Sequence, residues 1–344
     1  YKTLAKNSAY GKANMERNQR NVQRSFNHPS GIFWSLGNEA GFGPNFEAAY
    51  KWIKAKDKSR PVQYEQAHGN EFTDVYCPMY LDYKRSEEYC KKNPDKPLIQ
   101  CEYAHAMGNS QGGFKEYWDL IRKYPAYQGG FIWDFVDQSI RWKNKDGIEI
   151  YGYGGDFNRY DASDQNFCDN GLISPDRVPN PHMYEVGFYH QSIWTTPANL
   201  QTGEISIYNE NFFIDLSRYY LEWQLLANGE VIQNGIVQDL KVAPQQTGKL
   251  KLNYTLDGIC PCKEVLLNVS YKLKSAETLL PAGYTVAKNQ MTVKEYKAPE
   301  LTLENEVCTN IPVAAPYVED NDRHYLVVKG ETFRLDFTRH NGYL

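Results

Sequence analysis

The sequence contains neither a long block of one charge nor a long apolar segment. Lysine and arginine total 38 against 42 aspartates and glutamates, for a net charge of −4, and no run of five like charges occurs. The apolar stretches have the length of single strands, well below the ~18 residues that a membrane-spanning helix requires. The composition gives no support for a nucleic-acid partner and predicts no membrane partner.

Cysteine is scarce, and its spacing is wrong for a zinc site or a disulfide framework. Seven cysteines occur, and all except the Cys260-Pro-Cys262 pair stand alone. We predict that most are buried free thiols, which favours a reducing compartment. No signal-peptide pattern follows Tyr1, so the sequence leaves the localisation unknown.

Apolar and aromatic residues are abundant enough to build large cores. Hydrophobic residues make up 41% of the 344 residues and charged residues 23%, which is typical of folded domains. At ~100–200 residues per domain, the length predicts two or three domains. The 27 tyrosines, 15 phenylalanines and 7 tryptophans fit β-sandwiches and also carbohydrate enzymes, in which aromatic faces stack on sugar rings.

Residues 1–190 alternate short apolar runs with longer helical stretches, of which 45–56 and 113–123 are the clearest helices. This alternation is typical of parallel βα units, in a (β/α)8 barrel or in a doubly wound sheet. A barrel has eight strands, so the five predicted here would require three more before residue 1. The predicted strands cover residues 31–37, 61–64, 74–77, 97–101 and 129–133.

Helical periodicity ends near residue 190, and alternating strands follow. Apolar runs at 221–225 and 230–233 flank Asn228-Gly229 and predict a β-hairpin. We therefore predict a β-sandwich over residues 191–297, a linker at 297–301 and, over 298–344, the beginning of a further β-domain. A strand at 333–337 precedes the turn signal Asn341-Gly342, after which the sequence stops. We expect the chain to be part of a longer polypeptide.

Two glutamates each end a predicted parallel strand. Glu39 closes the run that starts at residue 32, and Glu102 closes the run that starts at residue 98. In barrels, the carboxyl ends of the strands carry the active site, and a carboxylate there is costly to bury unless it is paired or used. Two facing carboxylates are what glycosidic cleavage requires. Either glutamate alone could instead be a strand-end hydrogen-bonding group.

Nine sequence blocks carry a resemblance that extends over roughly residues 20–190. They are Asn27-His-Pro-Ser30, Trp34-Ser-Leu-Gly-Asn-Glu-Ala-Gly41, Arg60-Pro-Val-Gln-Tyr-Glu65, Cys77-Pro-Met-Tyr80, Cys101-Glu-Tyr-Ala-His-Ala-Met-Gly-Asn-Ser110, Gly129-Gly-Phe-Ile-Trp-Asp-Phe-Val-Asp-Gln138, Gly154-Gly-Asp-Phe157, Asn166-Phe-Cys-Asp-Asn-Gly-Leu172 and Asp176-Arg177. In this order they resemble glycoside hydrolase family 2, and within it the bacterial β-galactosidases of the lac-operon type. The His-Ala-Met-Gly-Asn-Ser run after Glu102 favours that branch over the β-glucuronidases.

The resemblance implies both a fold and a chemistry. The implied fold is a (β/α)8 TIM-barrel catalytic domain, with about five C-terminal strands present, then an immunoglobulin-like β-sandwich and the start of another. The implied activity is hydrolysis of terminal non-reducing β-D-galactose residues from β-galactosides. Glu39 would be the general acid/base, Glu102 the nucleophile of a retaining double displacement, and Asn38 would hydrogen-bond the sugar 2-hydroxyl.

Four further residues are implied to contact the substrate. Tyr80 would adjust the nucleophile, His105 would contact the sugar, and Trp133 would form a platform for its apolar face. Asn170 belongs to the same implied substrate site. Taken alone, Tyr80 could be a core phenol, His105 a histidine satisfied by backbone groups, and Trp133 a side chain of the barrel core.

The resemblance also implies two metal ions, each with only part of its ligand set in this sequence. A magnesium (Mg²⁺) site would use Glu39, with its other protein ligands before residue 1. A sodium (Na⁺) site would use the carbonyl of Phe167 and the side chain of Asn170, with an aspartate that is also upstream. Oxygen ligands suit these hard cations. Residues 158–166 have no assigned role, because this loop is one residue longer than in typical family members.

Two other functions stay open at the level of sequence. The first is the same chemistry on a β-glucuronide or β-mannoside, although the matched blocks contain no cationic clamp for a glucuronate. The second is a non-catalytic carbohydrate-binding or assembly module, against which the presence of both Glu39 and Glu102 argues. We expect the full-length protein to be a homo-oligomer and the isolated chain to be weakly active or inactive.

Overall fold

The computed structural model describes residues 2–298 and 314–344. The chain forms two compact units, Tyr1–Ile259 with Val265–Lys294 and Cys260–Glu264 with Glu295–Leu344. The first unit begins with an α/β part and continues into an all-β part. None of the described helices is long and apolar enough to cross a membrane. The predicted boundaries near residues 190 and 297 stay predictions.

Helices and short strands alternate in the α/β part, as predicted. The two clearest predicted helices form within one residue of their expected starts, because apolar residues at helical spacing bury one face of each. In chain order the elements are α1 (Lys2–Lys6), α2 (Gly11–Ser25), β1 (Trp34–Ser35), α3 (Pro44–Lys56), β2 (Val62–Gln63), α4 (Tyr83–Lys91), β3 (Leu98–Tyr103), α5 (Phe114–Lys123), β4 (Tyr127–Ile132), β5 (Ile140–Lys143), β6 (Glu149–Gly152), α6 (Gly154–Phe157) and α7 (Met183–Tyr189).

Neighbouring strands of the βα units pair in parallel, whereas β5 and β6 form an antiparallel hairpin. β1 pairs with β2, and β3 pairs with β4. The predicted strand at 74–77 does not form a continuous ladder with its neighbours. The Asp74 N–H donates to the Val62 carbonyl (2.7 Å), and Tyr76 forms one isolated parallel bridge to Leu98. A doubly wound sheet reverses its strand order at a switch point, whereas a barrel wall keeps chain order. The observed order is that of a barrel wall.

Helix α3 covers the first two strands of this wall. Pro44 stands in its first turn, where a missing N–H costs nothing, and Phe46, Ala49 and Ile53 form its buried face. Phe46 stacks on the fully buried Tyr64, with ring centroids 4.4 Å apart. This packing fixes the carboxyl ends of β1 and β2, from which the candidate site is built.

Two antiparallel sheets form the all-β part, and their facing sides bury one hydrophobic core. Alternate residues of β9 and β12 are buried, which is the period of a strand with one face in a core. The predicted hairpin forms between β9 and β10, with Asn228 and Gly229 both at positive φ. The strands are β7 (Ile193–Asn199), β8 (Glu204–Asn209), β9 (Tyr219–Ala227), β10 (Glu230–Val237), β11 (Thr247–Lys251), β12 (Val265–Leu273) and β13 (Thr285–Lys294), in the sheet orders β11-β8-β7 and β10-β9-β12-β13.

The second unit contains an antiparallel sheet of β14 (Tyr317–Glu319), β15 (Tyr325–Lys329) and β16 (Arg334–Thr338). β16 forms within one residue of its predicted position. A reverse turn follows β16. In it the Gly342 N–H donates to the Thr338 carbonyl and the Thr338 N–H donates to the Tyr343 carbonyl, both at 2.8 Å. The predicted linker at 297–301 lies largely outside the described residues.

The cysteines follow the prediction in part. Cys77 and Cys90 are buried free thiols, while Cys101 and Cys168 are free and half-buried. Cys260 and Cys262 form a disulfide, which corrects the expectation of free thiols for that pair. Cys308 lies outside the described residues.

Candidate active site

Glu39 and Glu102 lie at the same edge of the parallel strands. Glu102 belongs to the carboxyl end of β3, and Glu39 follows β1 after a short loop. Tyr80 lies between them in the strand order, since its N–H donates to the Glu102 carbonyl at 2.9 Å. Burial, the hydrogen bond to Glu102 and, to a smaller extent, the charges of Glu102 and Glu39 raise the pKa of the Tyr80 phenol. The two carboxylates predicted from sequence therefore share one neighbourhood.

Tyr80 contacts the predicted nucleophile directly. Its hydroxyl donates a hydrogen bond of 2.7 Å to Glu102 Oε2. Burial and this carboxylate raise the pKa of Tyr80, so the phenol stays a proton donor at neutral pH. The side chain is 42% exposed, so Tyr80 is not a core phenol. The phenol therefore fixes the position of the Glu102 carboxyl group at the strand edge.

His105 and Asn170 extend the site from Tyr80. The His105 ring lies against the Tyr80 ring, with centroids 5.7 Å apart, and edge-on to the Phe167 ring at 5.8 Å. His105 Nε2 is 2.7 Å from Asn170 Oδ1. The Asn170 side chain is buried, and its amide nitrogen donates to the Phe167 carbonyl. His105 is thus held by a side chain rather than by backbone groups.

Trp133 lies at the end of β4 and lines an open cleft of about 330 Å³. Its carbonyl accepts the Ala106 N–H at 2.9 Å, which joins the ends of β3 and β4. Phe167 and Asn170 line the same cleft, together with Gln138. Trp133 is half-buried rather than enclosed in a barrel core, so an aromatic surface faces the cleft beside the predicted sugar-binding residues.

Side chains that follow the end of β2 hold the loop that carries Asn38 and Glu39. Both side chains are exposed, and the Glu39 backbone has the left-handed value φ = 49°. The Glu39 N–H donates to Glu65 Oε1 at 2.7 Å, and the Ala40 N–H donates to the Tyr64 hydroxyl at 3.2 Å. Glu65 is itself buried, and burial raises the pKa of its carboxyl group.

Family models place this architecture among known proteins. The model described as the TIM barrel domain of glycosyl hydrolases family 2 matches residues 1–195, more than half of the chain. The chain belongs to glycosyl hydrolase family 2. A second model, domain 4 of β-galactosidase, matches residues 205–294, which form the all-β part. The predicted fold class, a TIM-barrel domain followed by a β-sandwich, is confirmed.

Curated β-galactosidases resemble this family 2 chain along most of its length. Beta-galactosidase 2 of Enterobacter cloacae is 38% identical over 354 residues, covering 99% of this chain and 33% of that protein. The Leuconostoc mesenteroides enzyme is 39% identical over 296 residues (81% and 28%), and that of Vibrio vulnificus is 40% identical over 310 residues (85% and 30%). The chain spans a third or less of the length of these relatives.

Solved structures of a β-glucuronidase and a β-D-mannosidase also align with the chain. Parabacteroides merdae β-glucuronidase has a TM-score of 0.39 at 13% identity, covering 98% of this chain and 43% of that chain. Dictyoglomus thermophilum β-D-mannosidase has a TM-score of 0.35 at 11% identity, covering 95% and 44%. Neither similarity bears on the choice of sugar.

The two implied metal sites fit the described residues to different degrees. Among residues 2–298 and 314–344, no group of three or more His, Cys, Asp or Glu side chains could hold a metal ion, so this part of the chain does not form the implied magnesium site around Glu39. The sodium ligands fit in part, because the Asn170 amide lies within hydrogen-bond distance of the Phe167 carbonyl. The oxygen and nitrogen of an asparagine amide exchange places when the amide is flipped. With its amide flipped, Asn170 would place an oxygen beside the Phe167 carbonyl oxygen, and oxygen ligands are the kind that hard cations prefer.

Sequence reasoning missed Glu65, although it lies in a matched block. The signal that identified Glu39 and Glu102, a carboxylate just past a parallel strand, applies equally to Glu65 at the end of β2. Its partner, the Glu39 N–H, is 26 residues away in the chain. Only the parallel pairing of β1 with β2 brings the two together.

Proposed function

We propose that the protein containing this chain is a retaining β-galactosidase that removes terminal non-reducing β-D-galactose. The observation that carries the proposal is the hydrogen bond from Tyr80 to Glu102 at the strand edge that Glu39 also occupies. The choice of galactose is supported by the β-galactosidases that are 36–40% identical to the chain. The substrate is a β-galactoside, and we also expect a homo-oligomer.

In this proposal each glutamate acts twice. Glu102 attacks the anomeric carbon while Glu39 donates its proton to the departing glycosidic oxygen, which leaves a galactosyl ester on Glu102. Glu39, now ionised, then takes a proton from water, whose oxygen attacks the anomeric carbon and releases Glu102 as a carboxylate. Two inversions retain the β-configuration. The two carboxyl groups should then lie ~5–5.5 Å apart when the sugar is bound.

The remaining residues bind the sugar. Asn38 would hydrogen-bond the 2-hydroxyl, an interaction that strengthens in the transition state. The Trp133 face would pack on the apolar face of galactose, and His105, held by Asn170, would bind a hydroxyl. Asn170 and the Phe167 carbonyl would hold Na⁺, which when bound supplies a positive centre for sugar oxygens. Glu39 would be one ligand of Mg²⁺.

Covalent labelling tests the proposal. The complete protein is incubated with a 2-deoxy-2-fluoro-β-galactosyl donor, which slows breakdown of the ester, and the adduct is mapped by mass spectrometry; a glucuronyl analogue runs in parallel. We expect a galactosyl adduct on Glu102 and none in Glu102→Gln. A glucuronyl adduct would show that the substrate is a β-glucuronide. The absence of an adduct with either donor would leave a non-catalytic carbohydrate-binding module as the function.

A further inference from the structure

Glu65 is a buried carboxylate that the proposed mechanism does not use. It follows β2 in a short 3-10 turn, Glu65–Ala67, and is only 6% exposed. Its Oε1 accepts the backbone N–H of Glu39 at 2.7 Å. A carboxyl oxygen can accept this N–H in either protonation state, so the contact links the two strand ends.

The backbone that Glu65 contacts is in a conformation that needs support. Glu39 has φ = 49°, a left-handed value that residues with a Cβ rarely adopt. Such conformations persist where the surroundings over-determine them, and they collect at sites that need pre-organised groups. The preceding residue, Tyr64, reinforces the link, since its hydroxyl accepts the Ala40 N–H at 3.2 Å and donates to the Gly41 carbonyl at 2.7 Å.

We propose that Glu65 is a positioning residue that sets the direction of the Glu39 side chain through its hydrogen bond to the Glu39 backbone N–H. The inference rests on the proposed function, in which Glu39 is the acid/base. The Glu39 side chain is exposed at the strand edge, so its direction depends on its backbone rather than on a packed wall. With the Glu65 contact removed, the backbone relaxes and the acid points away from the glycosidic oxygen.

A displaced acid/base has a kinetic signature that general damage to the fold lacks. Protonation matters most for a poor leaving group such as an alkoxide, and little for 2,4-dinitrophenolate, which leaves without a proton. Azide needs no general base to attack the galactosyl ester, so it bypasses the second role of Glu39 and gives a galactosyl azide. The dependence on the leaving group and the rescue by azide therefore both report on the acid/base role of Glu39.

The experiment compares Glu65→Met, Glu65→Asp and Glu65→Gln in the complete protein. Met removes the acceptor at similar volume, Asp keeps the charge but shortens the reach, and Gln keeps an oxygen that can accept the Glu39 N–H. Glu71→Gln is the matched control, because Glu71 is an exposed glutamate of the same segment. Initial rates are measured on an alkyl β-galactoside and on 2,4-dinitrophenyl β-galactoside, with and without azide.

We expect Glu65→Met and Glu65→Asp to lose about tenfold to a hundredfold in kcat on the alkyl galactoside, the usual cost of a small misplacement of a catalytic group. On the dinitrophenyl substrate kcat/KM, which reports the glycosylation step, should change little. Both kcat and KM should fall there because the galactosyl ester accumulates, and azide should restore kcat and form galactosyl azide. Glu65→Gln and Glu71→Gln should behave like the wild type. If Glu65→Met does not fold, as judged by thermal unfolding, Glu65→Asp carries the test.

Two outcomes overturn the inference while the proposed function stands. One is an equal loss on both substrates without azide rescue, and the other is a Glu65→Gln variant as impaired as Glu65→Met. Failure of the proposed function is seen separately in the wild type. If the wild type cleaves only another sugar, the same variants are compared on alkyl and dinitrophenyl glycosides of that sugar; if it cleaves none, both proposals fail.

Discussion

At the scale of single residues, three of the nine non-glycine residues at positive φ in the described part of the chain lie at the strand ends of the candidate site. Glu39, Tyr80 and Ala104 each follow or end a parallel strand segment, and each has φ = 49°. A left-handed conformation costs a residue with a Cβ about 1–3 kcal/mol, which the surrounding contacts must offset. These positions let the chain turn sharply, so that the side chains of Glu39 and Tyr80 project from the strand edge.

The Tyr80 hydroxyl gives a direct test of the site at this scale. We predict that Tyr80→Phe lowers kcat by about tenfold to a hundredfold, because a hydrogen bond to a charged group is worth about 1.5–3 kcal/mol. Tyr83→Phe is the matched control, since the Tyr83 hydroxyl donates to the Gly113 carbonyl at 3.1 Å and not to a carboxylate. Steady-state kinetics on an aryl β-galactoside measures both. Equal losses in the two variants would contradict a specific role for Tyr80.

At the scale of elements, the end of α3 is tied to β1 by one buried carboxylate. Asp57 caps the helix and is 3% exposed. Its Oδ2 accepts the Trp34 indole N–H at 2.9 Å, and its Oδ1 accepts the Ser59 hydroxyl at 2.6 Å. Arg60 lies 3.3 Å away and also stacks over the Trp34 ring. The helix therefore cannot move relative to the strand that leads to Glu39 without breaking this group of contacts.

The contacts of Asp57 predict a pH dependence of stability. Hydrogen bonds from Ser59, then from Trp34, lower the pKa of Asp57 from 3.8 to about 2. Because folding lowers this pKa, the carboxylate stabilises the fold above about pH 4 and the contribution is lost as the pH falls toward 2. We predict that Asp57→Asn destabilises the protein by about 1–3 kcal/mol at pH 7.

Thermal unfolding of the wild type and Asp57→Asn between pH 3 and pH 7 checks this prediction. The difference in Tm should be largest near neutral pH and should narrow below pH 4. Asp119→Asn serves as a control, because Asp119 forms only an exposed ion pair with Lys115 on α5. A Tm difference that is the same at every pH would show that the Asp57 charge does not stabilise the fold.

At the scale of the whole molecule, one arginine connects the α/β part to the all-β part within the first unit. The Arg122 guanidinium donates to both carboxylate oxygens of Glu210, at 2.7 and 3.0 Å. It also lies over the rings of Trp118 and Trp194, at 4.9 and 4.4 Å. Trp194 in turn donates to Glu210 at 2.8 Å. The planar guanidinium satisfies all of these contacts at once.

We predict that Arg122→Lys loosens this junction, although it keeps the charge. An ammonium group cannot make the two parallel hydrogen bonds or lie flat on two indoles, so the junction should lose about 1–3 kcal/mol. Hydrogen exchange of the complete protein should then speed up in peptides covering α7 and β7. Arg20→Lys, on the exposed face of α2, should leave exchange there unchanged. Unaltered exchange in Arg122→Lys would show that other contacts hold the junction.

Much of the fold could be predicted from local sequence pattern. The spacing of Phe46, Ala49 and Ile53 predicts α3, and Asn228-Gly229 between alternating runs predicts the hairpin of β9 and β10. Both depend on periods of 3.6 and 2 residues and on turn chemistry, which neighbouring residues fix. The strand at 74–77 shows the limit of this reasoning, since an apolar run says nothing about how many ladder hydrogen bonds it will form.

The choice of Glu39 and Glu102 also came from sequence, because both end apolar runs and the carboxyl ends of parallel strands meet at one edge. Their surroundings could not be predicted in this way. The Glu65 contact to Glu39, the Tyr80 contact to Glu102 and the Asn170 contact to His105 join residues 26, 22 and 65 positions apart. The order of residues determines the helices, the strands and the chemical groups at their ends. Which of these groups contact each other is decided by the pairing of strands, because a hydrogen bond of 2.7 Å depends on how separate segments of the chain pack.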